Sequence, residues 1–100
     1  MIVVRNVFRL KFGKTREAVS VFKEGLAYMK QQGFGRAPAR VLTDAVASFY
    51  TLVFEQTFES LADFESSAQA LMANDDWKAW YQKVLPLVES GHREIFTLVE

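Results

Sequence analysis

Residues 49–58, "FYTLVFEQTF", are almost continuously apolar and rich in aromatic and β-branched side chains. A run of that length and composition reads as a strand. Upstream, after a turn at Ala47 and Ser48, residues 40–46, "RVLTDAV", make a short second strand that leads into it. Downstream, Ser60 with Asp63 resembles a capping box and opens a helix with Leu61, Phe64, Ala68, Leu71 and Met72 on one side. Asn74 or Asp75 can cap a further helical stretch, which Pro86 ends or kinks because it has no N–H.

A strand and a helix precede this block, and a strand follows it. Residues 2–12 alternate, with Ile2, Val4, Asn6, Phe8, Leu10 and Phe12 on one face and Val3, Arg5, Val7, Arg9 and Lys11 on the other. Gly13 ends that strand, and Thr15 is a plausible N-cap for a helix over 16–32 whose apolar face is Val19, Phe22, Leu26 and Met29. Gly33 and Gly35 supply the stop, and Pro38 lies in the loop beyond. Past Gly91, "REIFTLVE" is a last strand. The order is β-α-β-β-α-β over a single domain, residues 1–100: one sheet with its helices on one face, the ferredoxin-like two-layer α/β (α+β) sandwich.

Composition narrows the function. Twelve basic residues balance twelve acidic ones, so no net field draws the chain to nucleic acid or anionic membrane. Without cysteine there is no thiolate nucleophile or Cys-based metal site, and one histidine cannot build a multi-histidine site. The stretch "MIVVRNVFRL" lacks the features of a signal peptide, and no apolar run reaches bilayer length. A cytoplasmic protein with no membrane or nucleic-acid partner is expected. "FGKTRE" contains G-K-T, but a phosphate loop needs another Gly where Phe8 stands.

Helices on one side leave the other side of the sheet uncovered. The helix-facing set is expected to be Val4, Phe8, Leu10, Leu52, Phe54, Phe58, Phe96 and Leu98. The opposite set is still apolar: Val3, Val7, Phe49, Thr51, Val53, Ile95, Thr97 and Val99, mixed with Arg5, Arg9, Glu55 and Arg93. Patches of that kind mark interfaces, and a homodimer with facing sheets is the economical solution. Arg5, Val7, Val53, Glu55, Arg93 and Ile95 are the candidate interface residues. Arg5 or Arg93 is expected to bond Glu55, because buried charges must be paired.

This pattern resembles the dimeric α/β-barrel superfamily. Within it, "WKAWYQKVLPLVESGHREIF", residues 77–96, resembles the NIPSNAP-like proteins, which end in a similar aromatic helix, a Pro-containing link and a last strand. The resemblance implies a homodimer with paired sheets and no agreed reaction. Some superfamily relatives are cofactor-free monooxygenases and others degrade haem. The haem-degrading type carries an Asn in the first strand, a Trp after the third and a His in the late helix. Asn6 matches the first, but Phe58 and Tyr81 stand in place of the Trp and His. Neither haem nor a transition metal is therefore expected.

Two roles are open for the late aromatic cluster. Trp77, Trp80, Tyr81 and Val84 have the spacing of a buried helical stripe, with Trp80 expected against the sheet. Alternatively, Trp77 or Tyr81 roofs a cleft between helices and sheet. That cleft would take a small apolar or aromatic molecule, bound only or acted on by a cofactor-independent oxygenase or isomerase. Its candidate lining is Asn6, Tyr50, Gln56, Trp77 and Tyr81, with His92, the one imidazole, beside them. Asn6 is a polar amide on an apolar strand face, and Gln56 is its expected partner. Asp44, Glu55 and Tyr50 could assist proton transfer, but no motif joins them. The other reading is a non-catalytic homodimeric module.

Overall fold

The computed structural model describes residues 1–31 and 39–99. Four strands, β1 (Ile2–Leu10), β2 (Ala39–Thr43), β3 (Thr51–Phe58) and β4 (Val88–Thr97), form one antiparallel sheet in the order β2-β3-β1-β4. Three α-helices, α1 (Thr15–Gln31), α2 (Leu61–Met72) and α3 (Asp75–Val84), are followed by a short 3₁₀ turn at Leu85–Leu87. The expected α+β architecture is present. The stop at Gly33 and Gly35 and the loop at Pro38 fall outside the described residues. No helix among the described residues is long and apolar enough to cross a membrane.

Local chemistry explains the boundaries. Ser60 Oγ accepts the Asp63 backbone N–H at 3.2 Å and starts α2. Asn74 Oδ1 accepts the Trp77 N–H at 3.1 Å and starts α3. Pro86 sits inside the 3₁₀ turn, where α3 has already ended at Val84.

The core lies between α1, the end of α3 and the sheet. Ala18, Phe22 and Met29 on α1 close over Leu10, Leu52 and Phe54, with Val84 and Leu87 at one end. The ring of Phe22 sits 5.5 Å from Phe8 and 6.1 Å from Phe54, pinning α1 to the two central strands. By contrast, α2 has no buried residue. It meets the sheet through Phe64, whose ring lies 5.4 Å from Phe58 on β3.

The register corrects the expected faces of the last strand. In antiparallel pairs, directly opposed residues share a face. On the helix side the rows run Phe58–Ile2–Thr97, Gln56–Val4–Ile95 and Phe54–Asn6–Arg93. Arg93, Ile95 and Thr97 therefore lie on the helix side, while His92, Glu94 and Phe96 lie on the uncovered side, the reverse of the expectation. Two features set this phase. β4 begins at Val88 rather than after Gly91, and the ladder shifts register between Arg9 and Leu10. Beyond that bulge Gly91 faces Phe8, and a Cβ there would lie 3.1 Å from the Phe8 ring. Gly91 is strand interior, made small by the phenyl ring lying across it.

Candidate functional site

The aromatic cluster on α3 is a seam between two helices. Trp80 donates its indole N–H to the Val21 carbonyl on α1 at 2.7 Å and stands edge-on to Phe22 at 5.4 Å. Its six-membered ring presses on Gly25, where a Cβ would be 2.5 Å from Cζ2. Trp77 stacks on Trp80 at 4.5 Å and lies near-parallel to Tyr28 of α1 at 6.3 Å. Tyr28 donates its hydroxyl to Asn74 Oδ1 at 2.6 Å, the same oxygen that caps α3. Trp80 is thus half-buried against α1 rather than buried against the sheet. Tyr81, on the same helix, is exposed.

The six candidate ligand residues do not converge. Tyr50, with φ of 60°, stands next to the start of β3 with its ring 4.5 Å from Phe12. His92 lies on the uncovered side, 3.3 Å from Glu94 Oε2. It lines a shallow open cleft of about 220 Å³ with Val7, Arg9, Ser48, Thr51 and Ser90. Asp44 accepts the Thr51 N–H at 2.9 Å and supports the β2–β3 connection. Asn6 and Gln56 alone share a neighbourhood, as diagonal positions of β1 and β3 on the helix side.

That neighbourhood has an unexpected third member. Arg93 Nε donates to Asn6 Oδ1 at 2.7 Å, so Arg93, not Gln56, is the partner found for Asn6. The guanidinium carbon lies 5.1 Å from the centre of the Phe64 ring of α2. Gln56 is 6% exposed, and its Nε2 is fully buried with no hydrogen-bond partner among the described residues. An unsatisfied buried amide is costly, about 1–3 kcal/mol. Two amides and a guanidinium thus lie on adjoining rows of the helix side, with the exposed Arg93 against α2, a helix whose residues are at most partly buried. The sequence pattern places Arg93 on the other face, so neither it nor Phe64 stands out in this role.

On the uncovered side the charges form one row. Arg40, Glu55, Arg5 and Glu94 are directly opposed across β2, β3, β1 and β4. Arg40 Nε donates to Glu55 Oε1 at 3.0 Å, Arg5 Nε lies 3.4 Å from Glu55 Oε2, and Arg5 Nη1 lies 4.0 Å from Glu94 Oε1. The expected Arg5–Glu55 pair is present; Arg93 takes no part. On one side of this row Leu42, Val53 and Val7 continue across the sheet, and on the other Thr57, Val3 and Phe96. Of the six candidate interface residues, Arg5, Val7, Val53 and Glu55 are on this face, while Arg93 and Ile95 are not. Among the described residues no three His, Asp or Glu side chains cluster as a metal site.

Helices on one face of a β2-β3-β1-β4 sheet define the ferredoxin-like class. The NIPSNAP family model matches residues 4–100, and the chain belongs to that family. An uncharacterised NIPSNAP domain protein from Burkholderia xenovorans superimposes with a TM-score of 0.86 at 20% identity, over 99% of this chain and 95% of that one. A NIPSNAP family protein from Agrobacterium tumefaciens gives 0.86 at 18% identity, covering 99% and 93%. A proposed antibiotic biosynthesis monooxygenase from Chloroflexus aurantiacus gives 0.72 at 11% identity, covering 99% and 93%, a likeness of fold alone. No curated protein matches the chain at the sequence level.

Proposed function

We propose that this NIPSNAP protein binds a small molecule between α2 and the helix side of the sheet, beside Asn6, Gln56 and Arg93. The observation that carries the reading is Gln56, a buried amide whose nitrogen has no partner among the described residues. Native structures retain such groups where something else satisfies them. Access is favoured because no residue of α2 is fully buried, Phe64 and Leu71 being only partly so. Phe58, Phe64, Val4 and Ile95 supply apolar surroundings for an apolar or aromatic ligand. The monooxygenase named among the fold neighbours is consistent with a small organic substrate on this scaffold. Amides and a guanidinium hold and orient a ligand rather than take its proton. Binding is therefore the core of the proposal, and cofactor-independent oxygenation or isomerisation its catalytic extension, in a cytoplasmic setting. Methyl-labelled Ile and Val report on the site. Ligand-induced shifts at Val4 and Ile95 support it, and shifts confined to Val3, Val7 and Val53 would move the ligand to the other face.

A second reading, self-association through the uncovered face, has its own support. The row Arg40–Glu55–Arg5–Glu94 alternates in sign. A two-fold axis running along the strands reverses that order, so the cations of one copy meet the anions of the other. The half-exposed Phe96 and the apolar positions beside the row would be covered at the same time.

A further inference from the structure

We infer that the ligand of this site is an acid: an apolar body carrying a carboxylate that Arg93 and Asn6 receive. The inference rests on the binding reading above and specifies its chemistry. Arg93 Nε can only donate, so the Asn6 atom 2.7 Å from it must be the oxygen. The Asn6 amide nitrogen is thereby turned away from Arg93 and left as a donor. The remaining guanidinium N–H groups of Arg93 have no carboxylate within ion-pair distance among the described residues. Gln56 Nε2 adds a third unspent donor, and it is fully buried.

Every one of these groups offers an N–H, and Arg93 adds a full positive charge. An amine or ammonium ligand would leave them unsatisfied and would be repelled by Arg93. A neutral hydroxyl can accept from two of them but brings no charge to match Arg93. A carboxylate has two oxygens with about four lone-pair sites, and it accepts a guanidinium in a fork. The flanking row Gln56–Val4–Ile95 and the Phe64 ring leave the rest of the ligand in contact with apolar surface. Gln56 lies two strands from Arg93, roughly 10 Å across the sheet. Its amide therefore meets the body of the ligand rather than its carboxylate, and a second acceptor there, a carbonyl or hydroxyl oxygen, would satisfy it.

The test uses three probes with one ring system: naphthoate, naphthalenemethanol and naphthylmethylammonium, titrated calorimetrically into the full chain. Naphthoate is expected to bind about tenfold or more tighter than the alcohol, a gain set by the charge-assisted fork, and the ammonium not at all. Arg93→Gln should erase the preference for naphthoate, bringing its affinity down to that of the alcohol. Asn6→Asp, which keeps Arg93 but supplies it with an internal carboxylate, should do the same and guards against a folding defect in the first variant. Equal binding of the alcohol and naphthoate overturns the acid inference but leaves the proposed binding site in place. A preference for naphthoate that survives both substitutions also overturns it, since the acid would then be held elsewhere. Failure of all three probes to bind overturns the binding reading and the acid with it.

Discussion

The indole of Trp80 occupies the space where any side chain at position 25 would begin. A Cβ on Gly25 would lie 2.5 Å from Cζ2 and 2.6 Å from Cε2, and the ring cannot swing away without giving up the 2.7 Å bond from its N–H to Val21. Gly25 is buried in the middle of α1, where glycine is a poor helix former by about 1 kcal/mol against alanine. The closeness of α1 and α3 explains why it is there. Gly25→Ala should therefore destabilise the fold, because overpacking costs about 1–3 kcal/mol and outweighs the gain in propensity. In a Trp80→Phe background, which removes the clashing atoms, the same change should be neutral or stabilising. Urea denaturation of the four proteins closes this cycle, and additive effects would mean that the two residues do not meet.

Tyr50 is the only described non-glycine residue with positive φ, at 60°. A side chain in that region is strained, and only glycine adopts it freely. Tyr50→Ala and Tyr50→Gly lose the same ring, with its 4.5 Å contact to Phe12. Their difference isolates the backbone. The glycine variant is expected to be the more stable by about 1 kcal/mol or more, even though glycine raises the entropy of the unfolded chain. Thermal melts in which alanine equals or exceeds glycine would show that position 50 relaxes out of the left-handed region.

Glu55 joins two arginines on the uncovered face, Arg40 and Arg5, and its side chain is only 13% exposed. Glu55→Ala leaves both cations without their main partner. The loss in folding stability is expected near 1.5–3 kcal/mol, the range for hydrogen bonds to charged groups. It should shrink at high salt, since the Arg40 side chain is 64% exposed. If copies pair through this face, Glu55→Ala also weakens the assembly far more than Lys23→Ala on the exposed side of α1. Sedimentation across a dilution series compares them. Identical profiles would mean that the face stays solvated and that the proposed pairing of sheets fails.

The order of elements was legible because each has a local signature. β3 is an unbroken apolar run, Ser60 and Asn74 are caps that cap, and Val19, Phe22, Leu26 and Met29 repeat at helical spacing. The site was half legible. Asn6 and Gln56 stand out as amides on an apolar strand face, but their third member does not. Whether Arg93 faces the helices depends on the phase of β4, and a one-residue slip exchanges every side chain between faces. Hydrophobicity favoured Phe96 inward. The chain turns it outward because Gly91 must sit under Phe8, a close approach that no periodicity reveals. The seam partner of Trp80 was hidden for a related reason: Gly25 reads as a weak point in α1 until the indole is placed beside it.

Gln56 allows stability and binding to be separated. Its amide nitrogen is fully buried and has no partner among the described residues, on a residue with 6% exposure. Leucine has a similar shape and no polar atom to desolvate. Where the amide serves only the fold, an unpaired group of this kind is a pure liability, and replacing it relieves about 1–3 kcal/mol. Gln56→Leu is therefore expected to raise the urea midpoint with an unchanged m-value. Where the amide also serves a ligand, the more stable variant should bind a naphthoate that carries a hydroxyl on its far ring more weakly than wild type, since the apolar side chain cannot replace the lost donor. A function retained at a cost in stability is a common arrangement in binding sites. A Gln56→Leu protein that is clearly less stable than wild type would show that the amide already has a partner in the folded chain, and the principal observation behind the binding site would be lost.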